Sequence, residues 1–165
     1  MSKKTKDTTE ANVAPVAESA EAGGEPRFNI TVQYLKDFSF ENPLAPQSLV
    51  SQGQAPAITV QVNVEARRLA DDAFEVDLFI VAEAKHGEQI AFVVDLKYAG
   101  IFAIENIPDE HLSGVLLIEC PRYLFPFARS IISNATRDGG FPPLNIQPID
   151  FVALYQSQIA AAAEA

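Results

Sequence analysis

The sequence predicts an α+β fold: a four-stranded antiparallel sheet in Greek-key order, with a long broken helix and a C-terminal helix packed on one face. Three observations predict it. Apolar and polar residues alternate along four separate stretches between residues 28 and 104, the period of half-buried strands. Short joints come after the second and third stretches while a long, proline-bearing one comes after the first, which is the connectivity of three hairpin-linked strands plus one returning strand. Beyond Pro108 the apolar spacing lengthens to that of amphipathic helices.

In the first strand Phe28, Ile30, Val32, Tyr34, Phe38 and Phe40 fall on even positions, with Lys36 the exception, so one apolar face and a bend near Lys36 are expected. Residues 41–57 carry Pro43, Pro46 and Pro56 among Ser, Gln and Gly, the composition of a loop long enough to cross a sheet edge. Ile58, Val60, Val62 and Val64 then alternate with Thr59, Gln61, Asn63 and Glu65. Phe74, Val76, Leu78, Ile80 and Ala82 repeat the pattern, and Ile90, Phe92, Val94, Leu96 and Tyr98 give a fourth strand, with an interruption expected at Gly100. The same alternation gathers Asp37, Glu41, Glu65, Glu75, Asp77 and Asp95 on the opposite face.

Pro108 suits a helix start, and Asp109 and Glu110 complement its positive end. Pro121 should break or kink this helix, and Pro126 lies five residues later, so the sequence allows either one bent helix or two abutting ones ending near Arg137. Leu124, Phe127, Ala128, Ile131, Ile132 and Ala135 form its apolar side; Arg122, Arg129, Ser130, Asn134 and Arg137 take the other. Gly139 and Gly140 close the helix, and the stiff segment from Phe141 to Leu144 cannot rejoin it. Asp150 is a good N-cap for a last helix with Phe151, Leu154, Tyr155 and Ile159 on one stripe.

Residues 1–26 mix Thr, Ala, Glu, Gly and Pro without an aromatic residue, which reads as a disordered tail. The single domain is then residues 27–162, with a frayed end at 163–165. Lys and Arg number 12 against 22 Asp and Glu, a net charge of −10. The tail holds three lysines and five carboxylates, so −2 of this is tail and −8 remains with the domain. Such acidity argues against nucleic acid or an anionic membrane and favours a basic partner. Apolar runs such as 115–118 are far too short to cross a bilayer, and no signal-peptide core is present.

Catalytic chemistry is sparse. Cys120, the only cysteine, precludes an internal disulfide and fits a reducing compartment; between Glu119 and Pro121 it reads as a buried small residue. His86 and His111 read as surface or capping residues, and no spacing of His and Cys suggests a metal site. No glycine-rich phosphate loop joins a strand to a helix, and no cofactor is expected. The aromatics carry more weight. Phe38, Phe40, Phe125, Phe127, Phe141 and Phe151 are many large side chains to cover, each forgoing about 1.5–3 kcal/mol if left in water; a plain core and a subunit interface are expected to take most of them and a groove the remainder.

Four segments together resemble the bacterial protein-export chaperone family SecB: residues 36–43 (KDFSFENP), 70–76 (ADDAFEV), 100–102 (GIF) and, above all, CPRYLFPFARSIISNATRDGGFPPLNIQPIDF from Cys120. The resemblance covers roughly residues 28–156. It implies a cytoplasmic homotetramer, a dimer of dimers, whose long helices lie between two sheets. It also implies an ATP-independent holdase that binds unfolded secretory precursors, keeps them export-competent and delivers them to the motor ATPase SecA, without enzymatic activity of its own. By the same resemblance Asp37 and Glu41 match acidic positions that meet SecA, and Asp95 stands where the pattern usually has glutamate. Any zinc would belong to SecA. A client-binding groove would use Phe38, Phe40, Phe141, Leu144, Phe151 and Leu154. The competing readings are a SecB-like chaperone that guards an antitoxin and, with no paired catalytic groups to support it, a small-molecule enzyme.

Overall fold

The computed structural model describes residues 24–50 and 53–165, so all but the last three residues of the expected tail lie outside the described residues. Four strands, β1 (Arg27–Glu41), β2 (Ala57–Ala70), β3 (Ala73–His86) and β4 (Gln89–Glu105), form one antiparallel sheet in the order β1-β4-β3-β2. This is the Greek-key order expected: β2, β3 and β4 are joined by tight turns and β1 lies beside β4. The β1–β2 connection contains a short helical turn, α1 (Gln47–Val50), where composition alone predicts only loop.

β1 departs from simple alternation. Its register against β4 slips between Ile30 and Val32 and again between Leu35 and Asp37. Each bulge inserts one residue and reverses which face the next side chains take. Val32 and Tyr34, expected on the apolar face, therefore pair with Ile101 and Ala99 on the outer face, while Gln33 and Leu35 pair with Gly100 and Tyr98 on the helix-covered face. After the second bulge, at the expected Lys36 bend, Phe38 and Phe40 return to the helix side opposite Leu96 and Val94.

β4 itself is not interrupted at Gly100, which corrects the expectation from sequence; the irregularity sits across from it in β1. A Cβ at Gly100 would come within 2.9 Å of the Leu124 side chain and 3.0 Å of the Phe102 ring. Glycine is there for close helix-on-sheet packing rather than for a bulge.

The helical region takes one of the two forms the sequence allows, with a detail that spacing does not announce. α2 (Asp109–Gly114) passes through a π-helical turn, Val115–Glu119, into α3 (Cys120–Asp138) without a break at Pro121. The Cys120 N–H donates to the carbonyl of Val115, five residues back. This wider turn places Pro121 in the first turn of α3, where its missing N–H and the bulk of its ring are tolerated. Leu124, Ala128 and Ile132 are fully buried on the sheet, but Phe127, expected among them, is 52% exposed and Phe125 is buried in its stead.

α3 ends at Gly139 and Gly140, the latter at φ +90, with the Phe141 N–H donating to the Thr136 carbonyl. Buried Thr136 pins the crossover after the helix: its hydroxyl accepts the Leu144 N–H at 2.9 Å and donates to the Ile132 carbonyl at 3.0 Å. α4 (Phe151–Glu164) starts on Asp150, whose Oδ1 accepts the Ala153 N–H at 3.0 Å, as expected of an N-cap.

Candidate functional site

Two surfaces stand out, one on each side of the sheet. On the outer side the bulge at Lys36 sets Asp37, Ser39 and Glu41 on the outer face of β1, in register with Lys97, Asp95 and Val93 of β4. Asp95 thus lies across from Ser39 and diagonal to both Asp37 and Glu41. All three carboxylates are exposed, and among the described residues none is in an ion pair. Glu83 extends the row on β3, opposite Val93, paired with Lys85 at 2.8 Å.

Glu75 and Asp77 do not belong to this open acidic surface, contrary to the expectation from alternation. They sit further along the outer face, in register with Ile101 and Ala99, and are buried. Lys36 donates to Glu75 at 2.9 Å and to Asp77 at 3.0 Å; Tyr34 and Arg67 also bond Glu75, and Lys97 lies 3.4 Å from Asp77. Burial pushes the Glu75 carboxyl up, but the hydrogen bonds from Lys36, Tyr34 and Arg67 more than offset it and hold the group at about 2. For Tyr34 burial and the bond to Glu75 act together, raising the phenol to about 12. The sequence carries part of this signal, since Arg67 and Lys97 share the outer-face parity of Glu75 and Asp77. It carries no sign of the bulge that brings in Tyr34.

On the helix side, Phe40, Phe92 and Phe141 form an aromatic cluster, with Phe92 and Phe141 4.9 Å apart and Phe40 6.0 Å and 6.5 Å from them. Phe38 and Leu144 are half-buried along the same layer. Beside the cluster the β1–β2 connection and the β3–β4 hairpin enclose a cavity of about 460 Å³ lined by Leu44, Gln47, Ser48, His86, Gln89 and Ala91. Leu44 and Leu49 remain partly open to solvent there. Sequence reasoning misses Phe92 as a site residue, although it alternates on the apolar face as Phe40 does. It also misses the leucines of the connection, which no periodicity marks, and it gives His86 no place in a cavity.

The expected groove residues are not all together. Phe151 is 2% exposed and packs edge-on to Phe125 at 6.2 Å, and Leu154 lies on α4 against the π-helical turn. Phe151 is floor rather than wall. Chemically, the cavity and cluster offer mostly apolar contact with a few amide groups, a hydroxyl and the His86 imidazole. Cys120 is fully buried, and burial pushes its thiol well up. Among the described residues no cluster of His, Cys, Asp and Glu could hold a metal ion, and no helix is long and apolar enough to cross a membrane.

Comparison with known proteins relates the chain to a family. The family described as "SecB: Preprotein translocase subunit SecB" matches residues 21–162. The chain is 55% identical over 145 residues to Protein-export protein SecB of Bradyrhizobium sp., covering 88% of this chain and 90% of that one. It is 52% identical over 148 residues to the protein of the same name from Afipia carboxidovorans, covering 90% and 92%. It is 53% identical over 138 residues to that from Bartonella quintana, covering 84% and 87%. Among solved structures, a SecB-like chaperone of Mycobacterium tuberculosis in complex with an antitoxin peptide shares the fold at TM-score 0.58 and 20% identity, covering 74% of this chain and 91% of that one.

Proposed function

This chain belongs to the SecB family, and from that premise we propose that it is an ATP-independent holdase that binds unfolded secretory precursors in the cytoplasm and delivers them to the export motor SecA. The observation that carries this reading is the pair of half-buried rings, Phe40 and Phe141, resting on buried Phe92 beside a largely apolar cavity. Apolar surface of this kind grips side chains that a folded client hides and an unfolded one exposes. Several such contacts along one extended chain raise its avidity with little sequence preference.

Client contact falls to Phe38, Phe40, Phe141 and Leu144 with Leu44 and Leu49 added; buried Phe92 and Phe151 support them from below, and Leu154 extends the surface along α4. SecA docking falls to Asp37, Glu41 and Asp95, whose exposed carboxylates suit a basic partner. A dimer of dimers is supported by the apolar strip of Leu35, Tyr123 and Phe127, each about half exposed, which a lone protomer leaves in water.

The test is affinity for one precursor in two states. Tight binding to the urea-unfolded form, weak binding to the same protein once folded, and no ATP turnover are expected. Equal affinity for both states would overturn the reading. The antitoxin-guarding alternative rests on a shared fold alone; a chain that retains client binding but ignores SecA would favour it.

A further inference from the structure

Asp37 and Lys97 are register partners on the outer face of adjacent strands. Opposite charges so placed ordinarily pair. Here they do not: the Lys97 ammonium lies 3.4 Å from Asp77 Oδ2 and 4.7 Å from the centre of the Phe79 ring, both on β3. Lys36, the chain neighbour of Asp37, is likewise drawn away, donating to Glu75 at 2.9 Å and to Asp77 at 3.0 Å and 3.2 Å. Asp37 Oδ1 accepts the Phe38 N–H at 3.0 Å, and among the described residues no cation is paired with it.

We propose that Asp77 is a positioning residue for the docking face: by holding the Lys97 ammonium, and with it Lys36, it keeps Asp37 unneutralised and open to a basic partner. The inference rests on the docking role proposed above for Asp37, Glu41 and Asp95. Asp77 is suited to the task because it is buried while both lysines are part-exposed, so the carboxylate is the fixed member of each pair and the lysine stems would swing if it were removed. Glu75 retains Lys36 through its own bond, so Lys97, left with only its contact over the Phe79 ring, is the cation that loss of Asp77 frees to swing. Its register partner across the β1–β4 ladder is Asp37.

The experiment measures SecA affinity for the full chain carrying Asp77→Asn, Lys97→Gln, the pair together, Asp37→Asn, and Asp37→Asn with Asp77→Asn. Binding of an unfolded precursor serves as the check on folding. Asp77→Asn should weaken docking roughly threefold, the size an exposed ion pair commands. Adding Lys97→Gln should restore it, and Asp77→Asn should have no further effect once Asp37 is already Asn. Lys97→Gln alone should leave docking unchanged, because the lysine is already held away. Strictly additive effects, as long-range charge alone would give, overturn the proposal. So does a gain of threefold or more from Lys97→Gln alone, a measurement that does not depend on Asp77→Asn folding. If Asp37→Asn by itself leaves docking intact, the docking role falls and takes this inference with it; if Asp37→Asn weakens docking and the Asp77 and Lys97 changes remain additive, only the inference fails.

Discussion

The ring of Phe40 occupies the space that a Cβ at Gly139 would need. This joins the end of α3 to the returning part of β1 and fixes one side of the aromatic cluster. Gly139 itself has ordinary helical φ of −74, so the constraint is close approach and not backbone conformation. Gly139→Ala should therefore destabilise by about 1–2 kcal/mol through overpacking, partly offset by the lower entropy of the unfolded chain. Shrinking the ring should relieve it: Phe40→Leu should cost less in the Gly139→Ala background than alone. Urea unfolding of the four chains checks this, and equal costs in both backgrounds would show that the two positions are uncoupled.

A second prediction concerns acid. Glu75 is held at about 2 in the fold against an ordinary 4.5, so the folded state prefers its charged form. A depressed carboxyl contributes stability that is fully present above pH 4.5 and is lost as pH falls toward 2. With Arg67 largely exposed, a discounted value of about 2 kcal/mol is reasonable for this contribution. Glu75→Gln should lower stability at pH 7 and flatten its decline between pH 4.5 and 2. A variant whose stability falls as steeply as the wild type across that window would place the acid sensitivity elsewhere.

Whether a residue's place is legible in the sequence depends on whether periodicity or a local exception governs it. Strand order, the long first connection and the Asp150 cap all come from alternation, joint length and a capping side chain. The faces of Val32 and Tyr34 do not, because a single inserted residue at each bulge reverses every side chain after it and leaves no compositional mark. Alternation puts Glu75 and Asp77 on the outer face, where they are, yet suggests that they are open, since it fixes a face and says nothing about which cations reach across it. Pro121 looks like a helix breaker because the π-helical turn that accommodates it depends on packing against the sheet.

For the outer face, Asp37→Lys with Glu41→Lys should sharply weaken SecA docking and leave client binding near normal, because the two surfaces lie on opposite sides of the sheet. The wild-type interaction should weaken steadily as salt rises, since exposed charges are screened over about 10 Å at 0.1 M. Mutation of rim charges is read mostly in the association rate. Stopped-flow binding across a salt series tests both claims, and a rate indifferent to salt and to the two lysines would remove the acidic face from docking.

Phe127 presents the last case, in which a side chain predicted for the core is found half in water. It stacks on Tyr98 with ring centres 6.2 Å apart, close to Tyr123 one turn away, which itself meets Phe28 at 5.4 Å. Each of these side chains is only about half exposed, so covering one gains about half of the roughly 1.5–3 kcal/mol of full burial, and a second copy is the strip's natural lid. Phe127→Asp places a charge in the middle of the strip, and its one ring contact with the buried core, the stack on Tyr98, lies at the core's edge. The variant should keep the wild-type circular dichroism spectrum and thermal unfolding of the sheet yet sediment as a smaller species than the wild type. Because client grip depends on several grooves acting on one chain, its affinity for long unfolded precursors should fall more than its affinity for a short peptide. An unchanged sedimentation mass would mean that Phe127 faces solvent in the assembly, and the interface would then have to be sought along β1.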